Sequence, residues 1–185
     1  MRHNHNNLLL LLTLFCIGNT LHAQVEVAHL FTKGESSTGY GIFIRPGFPI
    51  GKADEISIEA GLDFFTHDAS HIADIPLLVG YRHTLNGSGA GFYLEPFAGY
   101  AFGGTDITKM DAEGNIVYNN AGNAEDENLS GPAAGLGFGY IIPRASLPLN
   151  IGLRYEHIFV SGEPSQDILA LRVSWSLLTA KRLQH

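Results

Sequence analysis

LPLNIGLRYEHIF, residues 147–159, alternates Leu149, Ile151, Leu153 and Tyr155 with Asn150, Gly152, Arg154 and Glu156. A period of two is the signature of a β-strand, because successive side chains along a strand point to opposite faces. One face of this strand is apolar, and the other carries an arginine and a glutamate near its middle. The fold must therefore give an apolar surface and a charged surface a place along the same strand.

The pattern recurs along the chain. Segments 25–31, 38–48, 55–66, 72–85, 90–103, 129–142, 149–160 and 167–178 make about eight strands, and no run from Val25 onward has apolar residues at helical spacing. Most of the segments have 11 to 14 residues. That exceeds the usual strand of about 5–6 residues and covers the roughly 9–11 needed to cross a bilayer at a tilt. PIGKAD, NGSG and the PRAS region are compact links with turn-forming Gly, Pro and Asn. GESS, HDAS, the segment 104–128 and SGEPSQ connect the strands at the other end. An even number of strands with tight turns at one end and larger loops at the other is the plan of an outer-membrane barrel.

Alternation alone leaves open which face looks inward, since a soluble barrel carrying an apolar ligand also alternates. One set of faces, including Ile56, Leu62, Phe64, Ile75, Leu77, Val79, Phe92, Leu94, Leu136, Phe138, Leu169 and Leu171, holds no charge. The opposite set holds Glu59, Asp63, Asp74, Arg82, Glu95, Arg154, Glu156 and Arg172 among many glycines, and no lysine. A water-facing surface would be rich in Lys, Ser and Thr. A glycine-rich face with forked arginines suits a confined interior, where glycine makes room and arginine meets carboxylates with fixed geometry. Magnitude points the same way. Each arginine turned to lipid costs about 2–4 kcal/mol. Misplacing Arg82, Arg154 and Arg172 would thus cost about 6–12 kcal/mol, comparable with a whole domain's stability of about 5–15 kcal/mol. The expected fold is all-β: a single antiparallel up-and-down transmembrane β-barrel of about eight strands with a polar, filled lumen. The eight lumen charges are expected to form a structural network in which Glu59, Glu95 and Glu156 offset Arg82, Arg154 and Arg172. Aromatic residues near strand ends, such as Tyr81, Phe102, Tyr140, Phe159 and Trp175, suit the interfacial girdles of such a barrel.

Residues 1–23 have the layout of a secretory signal peptide. Arg2 precedes the apolar run LLLLLTLFCIG (8–18), and Ala23 suits the residue before the cut. The apolar run is too short to span a bilayer, which takes about 20 residues. The barrel domain is then 24–185. Cys16, the only cysteine, leaves with the signal, and Phe15 before it does not suit a lipoprotein. Without Arg2 the chain has ten basic and eighteen acidic side chains. No basic patch is available to neutralise phosphates, which argues against a nucleic-acid partner. The segment 104–128 has six acidic residues and one lysine, and is expected to be a long acidic extracellular loop rising as a small hairpin.

DIPLLVGYRHTL (74–85), GFYLEPFAGYAFGG (91–104) and ILALRVSWSLL (168–178) resemble the small bacterial outer-membrane β-barrel domain family, a group of eight-stranded barrels. The resemblance implies a Gram-negative cell envelope, outer-membrane lipid around the barrel and delivery by the barrel-assembly machinery. Barrels of this kind usually end on an aromatic residue that this machinery reads. This chain continues as TAKRLQH, with Trp175 and Leu177 as internal substitutes.

No catalytic, cofactor or metal site is expected. His67, Asp68 and His71 read as loop residues, and the acidic AEDEN (124–128) lacks the spacing of a calcium loop. His157 falls on the apolar face near a strand end. Some barrel enzymes that trim or acylate lipid A use a histidine and a serine there, but the position two residues on is Phe159, and Ser161 lies beyond it. The leading expectation is a monomeric, noncatalytic outer-membrane barrel with a structural, adhesive or accessory binding role. The rivals are a lipid A or phospholipid-modifying enzyme and a soluble periplasmic barrel. If the signal reading holds, N-terminal sequencing of the exported protein will return Gln24 as its first residue; an intact Met1 on the exported protein would refute it.

Overall fold

A computed structural model describes residues 20–32, 35–67, 70–108, 126–142, 149–161 and 164–179. The strands are β1 (Thr20–Thr32), β2 (Glu35–Pro49), β3 (Asp54–His67), β4 (Ser70–Thr84), β5 (Gly91–Thr108), the three-residue β6 (Asp126–Asn128), β7 (Gly131–Ile142), β8 (Leu149–Ile158) and β9 (Gln166–Thr179). Each long strand pairs antiparallel with the next, β5 pairs with β7, and β9 returns to β1 over most of its length. The eight long strands therefore form a closed up-and-down barrel, and β6 is a short addition on the extended end of β5. Closure matters because hydrocarbon offers no partner to an unpaired backbone N–H or C=O.

The pleat sorts the side chains as the opening strand suggested. Leu153 and Tyr155 are exposed on the outside of β8, whereas Asn150, Arg154 and Glu156 are buried inside. The outward belt includes Val27, Ile42, Ile75, Leu77, Val79, Leu94, Leu136, Phe138, Leu169 and Leu171. An apolar belt around a closed barrel is the surface that lipid covers, so the fold is that of a transmembrane barrel and not of a soluble carrier.

Several boundaries differ from the sequence expectation. GESS and HDAS are largely absorbed into strands, leaving only positions 33–34 and 68–69 between β1 and β2 and between β3 and β4. Ser and Thr pair well across a ladder, so their polarity did not signal a loop. The long loop is shorter at both ends than 104–128: β5 runs to Thr108, and Asp126 and Asn128 pair back onto it. The hairpin expected inside it, Asp68, the PRAS region and residues 180–185 of the tail lie outside the described residues, as do residues 1–19. β1 begins at Thr20, so a mature start at Gln24 would leave residues 24–32 in the strand.

The compact turn at NGSG is built as its composition demands. Gly87 and Gly89 have φ of 69° and 73°, in the left-handed region that favours glycine. Asn86 accepts from the Ser88 N–H at 3.1 Å, and the Gly89 N–H donates to Thr84 Oγ1 at 3.0 Å.

Inside, the barrel has two zones. Leu30, Phe65, Ile72, Leu129, Ile158, Val160 and Ile168 form an apolar cluster at the end that carries the long connection. The charged residues fill the remainder. The polar, filled lumen expected from the sequence is present, and an apolar plug is added to it whose members share parity with the charges. Leu171→Arg, which places a cation mid-strand on the lipid face, should lower unfolding free energy by about 2–4 kcal/mol in urea titrations of the vesicle-inserted barrel.

Candidate functional site: the lumen network and two interfacial clusters

The eight lumen charges named from the sequence are all buried. Three that the sequence reading omitted join them: Glu26, Arg45 and Glu55. Parity could have found all three, since Glu26 sits between outward Val25 and Val27, Arg45 follows outward Ile44, and Glu55 shares the inward parity of Ser57, Glu59 and Asp63.

Two glutamates act as hubs. Glu95 on β5 accepts from Arg45 of β2 through Nε at 3.1 Å and a terminal nitrogen at 2.8 Å. Its other oxygen takes the fork of Arg82 from β4, at 3.0 and 2.6 Å. Ser57 adds a hydroxyl bond at 3.2 Å, and Arg45 also pairs with Glu55 at 2.7 Å. Glu26 on β1 is the second hub. Arg172 of β9 donates to it at 2.8 and 2.6 Å, and Arg154 of β8 at 3.2 Å. Arg172 continues to Glu59 at 2.6 Å, and Arg154 to Glu156. The sequence sets these three glutamates against the three arginines without assigning partners; the structure pairs Arg82 with Glu95, Arg154 with Glu156 and Arg172 with Glu59, and the two shared acceptors organise them.

Aromatic rings complete the filling. Arg172 and Arg154 lie 4.5 and 5.3 Å from the Phe43 ring centre, and Arg82 lies 4.2 Å from that of Tyr93. A Cβ at Gly61 would overlap the Phe43 ring, so this glycine makes the room for it. The pocket left among Glu59, Tyr93, Glu95, Phe97, Arg154 and Arg172 has about 20 Å³, room for about one water.

Asp63 is hydrogen-bonded to the Glu26 hub, whereas Asp74, which faces it across β3 and β4, stands apart; both are buried. Neither carboxylate oxygen of Asp74 has a hydrogen-bond partner among the described residues.

Two further clusters, which the sequence reading did not identify, lie on the outer surface. Near the turn end, Asp54 Oδ1 accepts from the Tyr81 hydroxyl at 2.6 Å and contacts His83 Nδ1 at 2.7 Å. Near the loop end, Asp167 Oδ1 accepts from the Tyr155 hydroxyl at 2.6 Å and contacts His157 Nδ1 at 2.7 Å. The His157 ring also meets Phe159 edge-on, with centres 4.3 Å apart. The signal was available as Tyr-x-His in GYRH and RYEH. What it lacked was the aspartate, which comes from the neighbouring strand. Among the described residues no group of three or more His, Cys, Asp or Glu could hold a metal; Asp68 and the His67 side chain lie outside them.

No family model and no curated protein matches the chain. Solved structures do. The crystal structure of Neisserial surface protein A is similar at a TM-score of 0.62 and 12% identity, covering 85% of this chain and 94% of that one. The attachment invasion locus protein Ail of Yersinia pestis is similar at a TM-score of 0.58 and 11% identity, over 85% and 97% of the two chains. A second structure of Ail, in complex with the heparin analogue sucrose octasulfate, aligns at a TM-score of 0.55 and 11% identity, over the same 85% and 97%. The closed barrel, its apolar exterior and its charged interior thus have the fold of the small bacterial outer-membrane barrels.

Glu95→Ala leaves two buried guanidinium groups without their shared acceptor and should cost about 3–5 kcal/mol. Asp74→Asn removes a charge that no described group balances and should be neutral or stabilising. Urea unfolding of both variants in lipid vesicles checks the contrast; equal losses would show that Asp74 has a stabilising partner.

Proposed function

We propose that the protein is a noncatalytic, monomeric outer-membrane barrel that holds its acidic 104–128 region outside the cell as a binding surface. The observation that carries this reading is the filled lumen. The pocket among Glu59, Glu95, Arg154 and Arg172 has room for about one water, which supports reading the barrel as a rigid support and not a passage. Function then falls to the segments beyond the wall, of which the connection between β5 and β6 is the longest.

Its composition bears on the class of partner. Ail is seen with a heparin analogue, a polyanion. Six acidic residues against one lysine make the 104–128 region of this chain unsuited to such a ligand. A cationic partner, such as a basic protein surface, is the better match. Protease shaving of intact cells is expected to cut within 104–128 and to leave the barrel protected. Cleavage confined to NGSG would reverse the orientation and overturn the proposal.

One observation favours a second reading, that of a lipid-modifying enzyme. His157 is held by Asp167 on the outer surface near the loop end, and a carboxylate-oriented imidazole is how a general base is commonly positioned. Against it, the Phe159 ring occupies the position beside His157 where a nucleophile would be wanted. Mass spectra of lipid A from cells with and without the gene separate the two. No difference is expected. A difference restored by the wild-type gene but not by His157→Ala would establish the enzyme instead.

A further inference from the structure

Ala23 and Ala60 stand among the large side chains of the outer belt. They flank Ile44 in one row of the sheet, and Trp175 of β9 continues that row beyond Ala23. Val25 and Leu62 belong to the next outward row toward the loop end. Two methyl groups in place of branched or aromatic side chains leave a recess of about 490 Å³ on the outer wall of β1, β2 and β3. A mature start at Gln24 would remove Ala23 and widen the recess, with Ile44, Ala60, Leu62 and Trp175 still around it.

A recess in the lipid-facing belt is filled by hydrocarbon, because an empty one forfeits dispersion contacts along its lining. Its depth decides which part of a lipid arrives there. Ala60 lies six residues from Asp54, the first residue of β3. At about 3.4 Å per residue and a strand tilt of about 35–45°, this is about 15 Å of depth. One leaflet supplies the same length, half of a hydrocarbon core of about 30 Å. A lipid with its headgroup at the turn between β2 and β3 therefore lays an acyl chain along the wall as far as Ala60. Lys52 lies exposed in that turn. It is the only lysine among the described residues, and the described arginines, Arg45, Arg82, Arg154 and Arg172, are all turned into the lumen. The nearby Asp54 is engaged on the other side of β3, by Tyr81 and His83 of β4.

We propose that this recess holds one acyl chain of an anionic phospholipid from the turn-end leaflet, with the lipid phosphate against Lys52. The long stem of Lys52 lets its ammonium reach back to the level of the phosphates. Trp175 packs against the chain at the edge of the recess. The inference goes beyond the binding role of the 104–128 region, since it assigns a lipid of stated class to the wall itself. It rests on the transmembrane fold alone.

Trp175 is the only tryptophan in the sequence, so its fluorescence reports on the recess directly. The full mature chain is inserted into phosphatidylcholine vesicles that contain a small fraction of phosphatidylglycerol or phosphatidylcholine brominated on its acyl chains, since bromine quenches tryptophan on contact. In the wild type the brominated phosphatidylglycerol should quench more than its mole fraction predicts. Its association constant should exceed that of brominated phosphatidylcholine by about two- to fivefold, the ratio one surface charge contact supplies. Ala60→Leu fills the recess and should bring quenching by both lipids to the level of their mole fractions. Ala60→Val should lose part of the excess and serves if the leucine variant does not fold. Lys52→Gln should remove the preference for phosphatidylglycerol and leave the remaining excess. Quenching at the mole-fraction level in the inserted wild type, or an excess untouched by filling at Ala60, would overturn the lipid site. So would quenching that falls as the protein-to-lipid ratio rises, which would assign the recess to a second copy of the barrel. A wild type that does not enter vesicles would overturn the transmembrane fold beneath the inference.

Discussion

Glu26 and Glu95, each gripped by two arginines, are the interactions on which the barrel wall depends. Lipid outside requires every backbone group to be paired, which forces the sheet to close on itself. An eight-stranded closure leaves a lumen just wide enough for side chains, and half of every strand's residues must fit there. Four buried guanidinium groups in that space could not be tolerated without acceptors. Glu95 joins β2, β4 and β5, and Glu26 joins β1, β8 and β9. The second hub braces the seam at which the first and last strands meet. A one-residue slip at any of these strands would turn a charge to lipid, so the network and the register enforce each other.

The interior also determines what the molecule can do. An apolar plug closes the loop end of the lumen, and forked arginines against phenylalanine rings fill most of what lies below it. A packed core of this kind leaves little open channel between the strands. The outer rims are where the structure places its unexpected polar groups.

At the rims, repetition is the informative feature. A single His–Asp pair beside the loops invites a catalytic interpretation. The same pair with the same tyrosine, built from other strands at the other end, meets a different leaflet and a different aqueous phase. In the loop-end copy the Phe159 ring packs edge-on against the His157 imidazole.

Much of this was legible in the sequence. Period-two alternation in LPLNIGLRYEHIF and its relatives located the eight long strands, and the absence of lysine from the charged face told lumen from exterior. Parity is a local property, and a residue two positions along a strand always returns to the same face, so local sequence sufficed. It could not tell that Ser36 and Ser37 continue β2 instead of forming a loop, since serine serves both. Nor could it reveal which carboxylate an arginine meets. Arg172 and Glu26 are separated by 146 positions, and only closure of β9 onto β1 brings them together. The rim clusters belong to the same class: Tyr-x-His is written in one strand, but its aspartate arrives from the next. The sequence by itself determined the faces of the wall, because they follow from alternation. The tertiary structure alone decided the partners, because they follow from which strands lie side by side and how far a side chain reaches across an eight-stranded lumen.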